Sequence, residues 1–218
     1  MNTVLIELNN RAVAHLQAGN IVPAFDLLTK AYATIAMQPD VAHYTHIDSG
    51  NSTVRFHWED CSSPNSMWWE GSAAFLFLRA LRITVADSVK VDELCPCDYV
   101  WSIWFNLAIC SSLMGTRLGE RGHMLLELAF DLYNRVQKRI DSESHSKHWH
   151  LMQMAVVNNQ ACIYRDFAMG DATRECLEHL TMTVLHATDA ADSEDTTRVF
   201  FFYNLQILGT DCAVAAAA

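Results

Sequence analysis

Positive charge is scarce in this sequence. Only 15 of 218 residues are Lys or Arg, against 25 Asp or Glu, and the formal net charge is -10. Nucleic-acid backbones are held by clustered cations, so this balance excludes nucleic acid as an expected partner. It argues equally against a polybasic membrane surface. A long apolar run is missing as well. The tail RVFFFYNLQILGTDCAVAAAA is interrupted by Asn204, Gln206 and Asp211, whereas a spanning helix needs about 20 mostly apolar residues. The start MNTVLIELNNRAVAHL lacks the basic stretch and apolar core of a secretion signal. The seven cysteines are an odd number, which does not suit a closed disulfide framework. The expectation is an intracellular, cytoplasmic and reducing setting, in which the acceptor triplet Asn51-Ser52-Thr53 stays unused.

Signatures of chemistry are thin. GTRLGERG (115–122) has three glycines but lacks the Gly-Lys-Ser/Thr of a phosphate loop and follows no strand, so it reads as a turn. Cys95 and Cys97 are separated by one residue, where zinc sites want two to four and a second pair. They read as loop cysteines. Of His145, His148 and His150, only the first two share a helix face, and no Cys or acidic run completes a tetrahedral set. HWED (57–60) puts His57 beside Glu59 and Asp60, but no nucleophile converges there. The expectation is a protein without catalysis, metal or cofactor. The competing reading is that the His-rich insertion carries a metal-dependent or ligand-binding site.

What is present is apolar residue at helical spacing. With 51% hydrophobic and 18% charged residues the chain suits one globular domain with an insertion. Leu5, Leu8, Ala12 and Leu16 recur along a first helix, 3–18. Asn20 is a candidate N-cap for a second helix to about Met37, with Pro23 in its first turn. Residues 37–71 are rich in turn formers. Within and after them TVRFHW (53–58) and AAFLFLRALRITV (73–85) read as two strands of a hairpin, a helix being the alternative for the second. Helices follow at 99–114, 123–140, about 145–168 and 172–188, with Ser142 and Ser144 as candidate caps before the third of these and Met169-Gly170-Asp171 as a turn before the last. Residues 198–208 fit either helix or strand. Phe56, Trp58, Trp68 and Trp69 form an aromatic cluster, expected as a small satellite core for the insertion, with an exposed recognition patch as the alternative.

One pattern recurs. LNNRA (8–12), WFNLA (104–108) and VNNQA (157–161) each place a bulky apolar residue two before an Asn and an Ala two after it. Each lies on the first helix of a pair, and each second helix has a small residue four before an apolar one, at Ala24 and Leu28, Gly122 and Leu126, Cys176 and Leu180. The pattern resembles the tetratricopeptide repeat, whose first helix reads Trp-x2-Leu-Gly-x2-Tyr and whose second reads Ala-x3-Phe with a following Pro. Trp104-x2-Leu107-Ala108, Tyr164 and Pro39 match it; Arg11 and Gln160 replace its Leu, and His15 and Ser111 its Tyr.

The resemblance implies a mostly α, right-handed solenoid of about three helical hairpins. The pairs would lie at 3–37, 99–140 and 145–188, with an insertion at 38–97 containing a small β-hairpin or irregular structure, and a C-terminal cap at 196–210. It also implies a concave groove lined by the first helices, in which Asn10, Asn106 and Asn159 bond a partner's backbone, flanked by Val13, Ile109 and Cys162. The competing reading is that each amide caps a neighbouring carbonyl or side chain inside the solenoid. Asn9 and Asn158, one step off, are expected to face a neighbour or solvent. No Lys or Arg stands at the neighbouring groove positions, so an acidic C-terminus is not the expected ligand. An apolar segment of a protein or peptide is. The chain then reads as a binding scaffold, or as an obligate subunit whose apolar faces a fixed partner buries. The tail is expected to cap the last pair, with occupation of the groove as the sharper variant.

Overall fold

The computed structural model describes residues 2–37, 54–61, 76–86, 89–91, 94–142, 149–187 and 199–209. Among the described residues the protein is mostly helical, with one small antiparallel sheet. In order the elements are α1 (Asn2–Gln17), α2 (Ile21–Ala36), β1 (Val54–Asp60), β2 (Arg79–Val85), α3 (Val100–Leu118), α4 (His123–Ser142), α5 (Trp149–Asp166) and α6 (Gly170–Ala187), followed by helical residues 199–209. They form two compact units, Met1–Trp68 with Leu78–Val136 and Trp69–Phe77 with Gln137–Ala218. Among the described residues no helix is long and apolar enough to cross a membrane.

In the first unit α1 buries Leu5, Asn9, Ala12, Val13 and Leu16, and α2 buries Ile21, Ala24, Leu28, Ala31 and Ile35. These are the three- and four-residue spacings that put one stripe of each helix against the other. Gly19 closes α1 at φ 75°; its N–H donates to Leu16 O at 2.9 Å and the Asn20 N–H donates to His15 O at 2.8 Å. This is a left-handed helix stop, which glycine adopts at no steric cost. Asn20 stands at the N-cap of α2, but its side chain makes no capping bond.

β1 and β2 pair from Val54 opposite Val85 to Asp60 opposite Arg79. The predicted hairpin is therefore present, and β2 is a strand. Phe56 and Trp58 share one sheet face with Leu81 and Ile83. They do not make a satellite core. Phe56 meets Trp101 of α3 at 4.4 Å between ring centroids, and Trp58 meets Phe105 edge-on at 5.7 Å. Trp68 and Trp69 lie outside the described residues.

α3 runs four residues past the expected end, through Leu118, before a 3-10 turn at Gly119–Gly122. The stretch read as a turn is thus half helix. Its glycines serve close approach: a Cβ on Gly115 would lie 2.7 Å from Leu126 Cδ2, and one on Gly122 would overlap the Gly115 carbonyl. Ser142 is the last residue of α4, and Ser144 lies outside the described residues.

In the second unit α5 is buried almost continuously from Met154 to Ile163, and α6 buries Thr173, Leu177, Leu180, Thr183 and Val184. The turn between them is centred on Ala168 at φ 56°, with the Ala168 N–H on Arg165 O at 2.8 Å and the Met169 N–H on Tyr164 O at 2.9 Å. It copies the Gly19 turn at an offset of 149 residues, so Gly170 opens α6 and is not the turn residue. The same offset maps Ala24 to Thr173 and Leu28 to Leu177. The small residue of this pair is thus Thr173, 1% exposed, and the expected pair Cys176 and Leu180 lies three positions too late. Residues 199–209 are helical and bury Phe201, Asn204 and Leu208, with Phe201 stacked on Phe77 at 5.2 Å.

Candidate functional site

β2 has one edge on β1. The Leu78 carbonyl takes the Cys61 N–H at 2.9 Å, which sets the even-numbered residues of this strand toward β1. The odd-numbered residues therefore present their N–H and C=O to the other edge, where unpaired groups are a liability. In the first unit asparagines occupy that edge. Asn106 Oδ1 accepts the Leu81 N–H at 2.8 Å and its Nδ2 donates to the Leu81 carbonyl at 2.9 Å. Asn10 repeats this on Ile83, accepting at 2.9 Å and donating at 2.7 Å. Each side-chain amide thus stands where the peptide group of a third strand would stand.

Asn9 links the two. Its Nδ2 donates to Leu81 O at 2.9 Å and to Asn10 Oδ1 at 3.3 Å, and its Oδ1 accepts from Asn106 Nδ2 at 2.8 Å. Both Nδ2 hydrogens of Asn9 and of Asn106 are used. Asn9 and Asn106 are fully buried, where an unpaired amide would cost roughly 1–3 kcal/mol. Full pairing explains how such residues persist on apolar helix faces.

The second unit carries the same device. Asn159 Oδ1 accepts the Phe77 N–H at 2.7 Å and its Nδ2 donates to Phe77 O at 3.3 Å. Asn158 donates to Asn159 Oδ1 at 3.1 Å, as Asn9 does to Asn10, and accepts from Asn204 Nδ2 at 2.8 Å. Asn158, Asn159 and Asn204 are all buried. The doublet Asn-Asn, repeated at one register in LNNRA and VNNQA, was the signal that the first Asn of each pair orients the second. Nothing in the sequence singled out Asn204.

The six residues expected to meet a partner are thus placed as follows. Asn10 is half-buried and Asn106 and Asn159 are buried, each bonded to this chain's own backbone. Val13 and Ile109 are fully buried in the first unit and Cys162 is 1% exposed in the second. Burial pushes the Cys162 thiol up to about 12, so it is protonated at neutral pH. The backbone held by the asparagines is that of Leu81 and Ile83 in the first unit and of Phe77 in the second. Within the second unit, tail residues Phe200, Phe201 and Asn204 meet Phe77 and Asn158.

The other candidate groups do not converge. His57 lies on the exposed face of β1 with Nε2 3.1 Å from Thr84 Oγ1, and Glu59 is engaged by Arg82 and Gln17. Cys95 and Cys97 are joined by a disulfide beside the short 3-10 turn Pro96–Asp98. Among the described residues no group of His, Cys, Asp and Glu could hold a metal ion; His145 and His148 lie outside them. Compared with known proteins, the chain matches no family model, no curated protein and no solved structure.

Proposed function

We propose that this chain is a non-enzymatic, tetratricopeptide-like binding module whose asparagine-bearing helix faces hold extended polypeptide by its main chain. The observation that carries this reading is the two-point bond from one Asn amide to the N–H and C=O of a single residue, made by Asn10 on Ile83 and by Asn106 on Leu81. Such bonds ignore side-chain identity and supply affinity for any strand of suitable shape. The equal spacing of the Gly19 and Ala168 turns from Asn10 and Asn159 supports a repeated helical pair. The partner is a protein or peptide segment, apolar where Leu81 and Ile83 are apolar, and the resident strand occupies its place until displaced.

The test is selection from a displayed random-peptide library on the full chain and on an Arg82→Ala chain, whose resident strand is loosened without touching the asparagines. The expected ligands are extended, apolar at alternate positions, and lose about tenfold or more in affinity on Asn10→Ala, the most accessible of these amides. Recovery of no ligand, or of ligands indifferent to Asn10→Ala in a chain that melts cooperatively, overturns the reading.

A further inference from the structure

We propose that the first unit selects an extended segment of the pattern small–apolar–basic–apolar, with the resident Ala80-Leu81-Arg82-Ile83 as both template and competitor. The inference rests on the binding function proposed above and adds the chemistry of the ligand. The asparagines' bonds to the strand end on main-chain atoms only, so these bonds cannot tell this strand from another. Discrimination falls to the side chains. Ala80 is 0% exposed, which leaves no space for a larger residue there, and Leu81 and Ile83 are each 1% exposed.

Arg82 is the informative position. It lies on the opposite sheet face from Leu81 and Ile83 and is held at two points. Its Nε donates to Glu59 Oε1 at 3.0 Å and its guanidinium donates to Gln17 Oε1 at 3.3 Å. Gln17 Nε2 in turn donates to Glu59 Oε2 at 2.8 Å, which fixes the carboxylate toward the cation. Gln17 is two helical turns beyond Asn10 on α1. One helix therefore bonds the backbone of residue 83 and helps fix the charge of residue 82. Glu59 belongs to β1 and Gln17 to α1, so neither is part of the strand that is exchanged. A half-exposed charge pair of this kind decides which partner binds more than how tightly it binds. A cationic ligand also suits a chain of net charge -10.

The probe is a fluorescein-labelled nonapeptide with the sequence of residues 78–86, LRALRITVA, and a second peptide in which the Arg equivalent to Arg82 is Glu. Binding is read by fluorescence anisotropy on the full chain and on two variants, each checked for a cooperative melt. Arg82→Glu repels the resident strand from Glu59, and this chain is expected to bind the Arg peptide about tenfold or more tighter than the unmodified chain does and to discriminate against the Glu peptide. Glu59→Lys repels the resident Arg82, and here the preference is expected to invert. Capture of both peptides with equal affinity by both variants overturns the selection while leaving the binding function standing. Folded variants that bind neither peptide overturn the proposal, and the library selection then decides whether the binding function falls with it. If a variant does not fold, amide hydrogen exchange of the unmodified chain in excess Arg peptide replaces it. Faster exchange at Leu81 and Ile83 than with the Glu peptide supports the proposal, and equal exchange overturns it.

Discussion

Asn106 is the residue on which the first unit's network turns. Its Oδ1 satisfies the Leu81 N–H and its two Nδ2 hydrogens satisfy Leu81 O and Asn9 Oδ1. Asn106→Ala orphans buried groups at about 1–3 kcal/mol each, so the expected loss is several kcal/mol in a urea melt. Asn106→Asp is the sharper experiment. A carboxylate still accepts the Leu81 N–H, but it turns a second oxygen toward Leu81 O and Asn9 Oδ1 and brings charge to a site of 0% exposure. The near-isosteric Asp is therefore expected to destabilise more than Ala; an Asp variant as stable as Ala would contradict the assigned amide orientation. The three asparagines were legible because an Asn between apolar residues at fixed spacing from an Ala is improbable by chance in three helices. What they hold was not legible. Their bonds end on main-chain atoms, and main-chain atoms leave no mark on the identity of residues 77, 81 and 83.

Helix existence was readable from apolar period, and so was the glycine stop after α1, but the turn between α5 and α6 was not. Ala168 occupies the left-handed position that Gly19 fills after α1. Sequence reading favoured Gly170 as the turn because glycine is the usual choice, and it lies two residues beyond the position that matters. An L-residue in this conformation costs about 1 kcal/mol or more relative to glycine. Ala168→Gly is expected to stabilise the second unit by up to that amount, less the greater entropy glycine gives the unfolded chain. Gly19→Ala should destabilise the first unit correspondingly. A thermal melt of each variant checks the pair, and a fall in melting temperature for Ala168→Gly would refute the turn assignment. The same ambiguity misplaced the small residue of α6, since Thr173 and Cys176 are both small and each precedes a Leu by four. The segment 199–209 was too apolar to be a free tail, yet helix and strand were equally readable in it. Phe201, 0% exposed and stacked on Phe77, makes it part of the second unit's core. Phe201→Ala should cost about 3–5 kcal/mol. Truncation after Asp195 should cost at least as much, whereas a peripheral helix would lose little.

At the scale of the molecule, buried thiols couple folding to alkaline pH. Burial pushes Cys61 up to about 12 and Cys162 to about 12 from an ordinary 9.0, raises Cys110 well above that value, and takes the half-buried Cys176 to about 11. Burial likewise raises the Tyr99 phenol, whose hydroxyl donates to Asn2 Oδ1 at 2.9 Å. Each group is neutral in the fold at a pH where the unfolded chain has begun to ionise. The folded state then holds more protons than the unfolded state, and stability falls as pH rises. The contribution is complete below about pH 9 and drains away between there and about pH 12. Urea midpoints should therefore be level through pH 7 to 8 and decline steeply by pH 10.5. Cys162 offers the control, because the 149-residue offset makes it the sequence equivalent of Val13, which is fully buried in the first unit. Cys162→Val keeps an apolar side chain of similar size and removes one of the titrating thiols. It should leave the midpoint near neutral pH within about 1.5 kcal/mol and make the alkaline decline shallower. A decline unchanged by Cys162→Val would mean that ionisation of this thiol does not drive the loss, and that the phenols or the remaining thiols carry it.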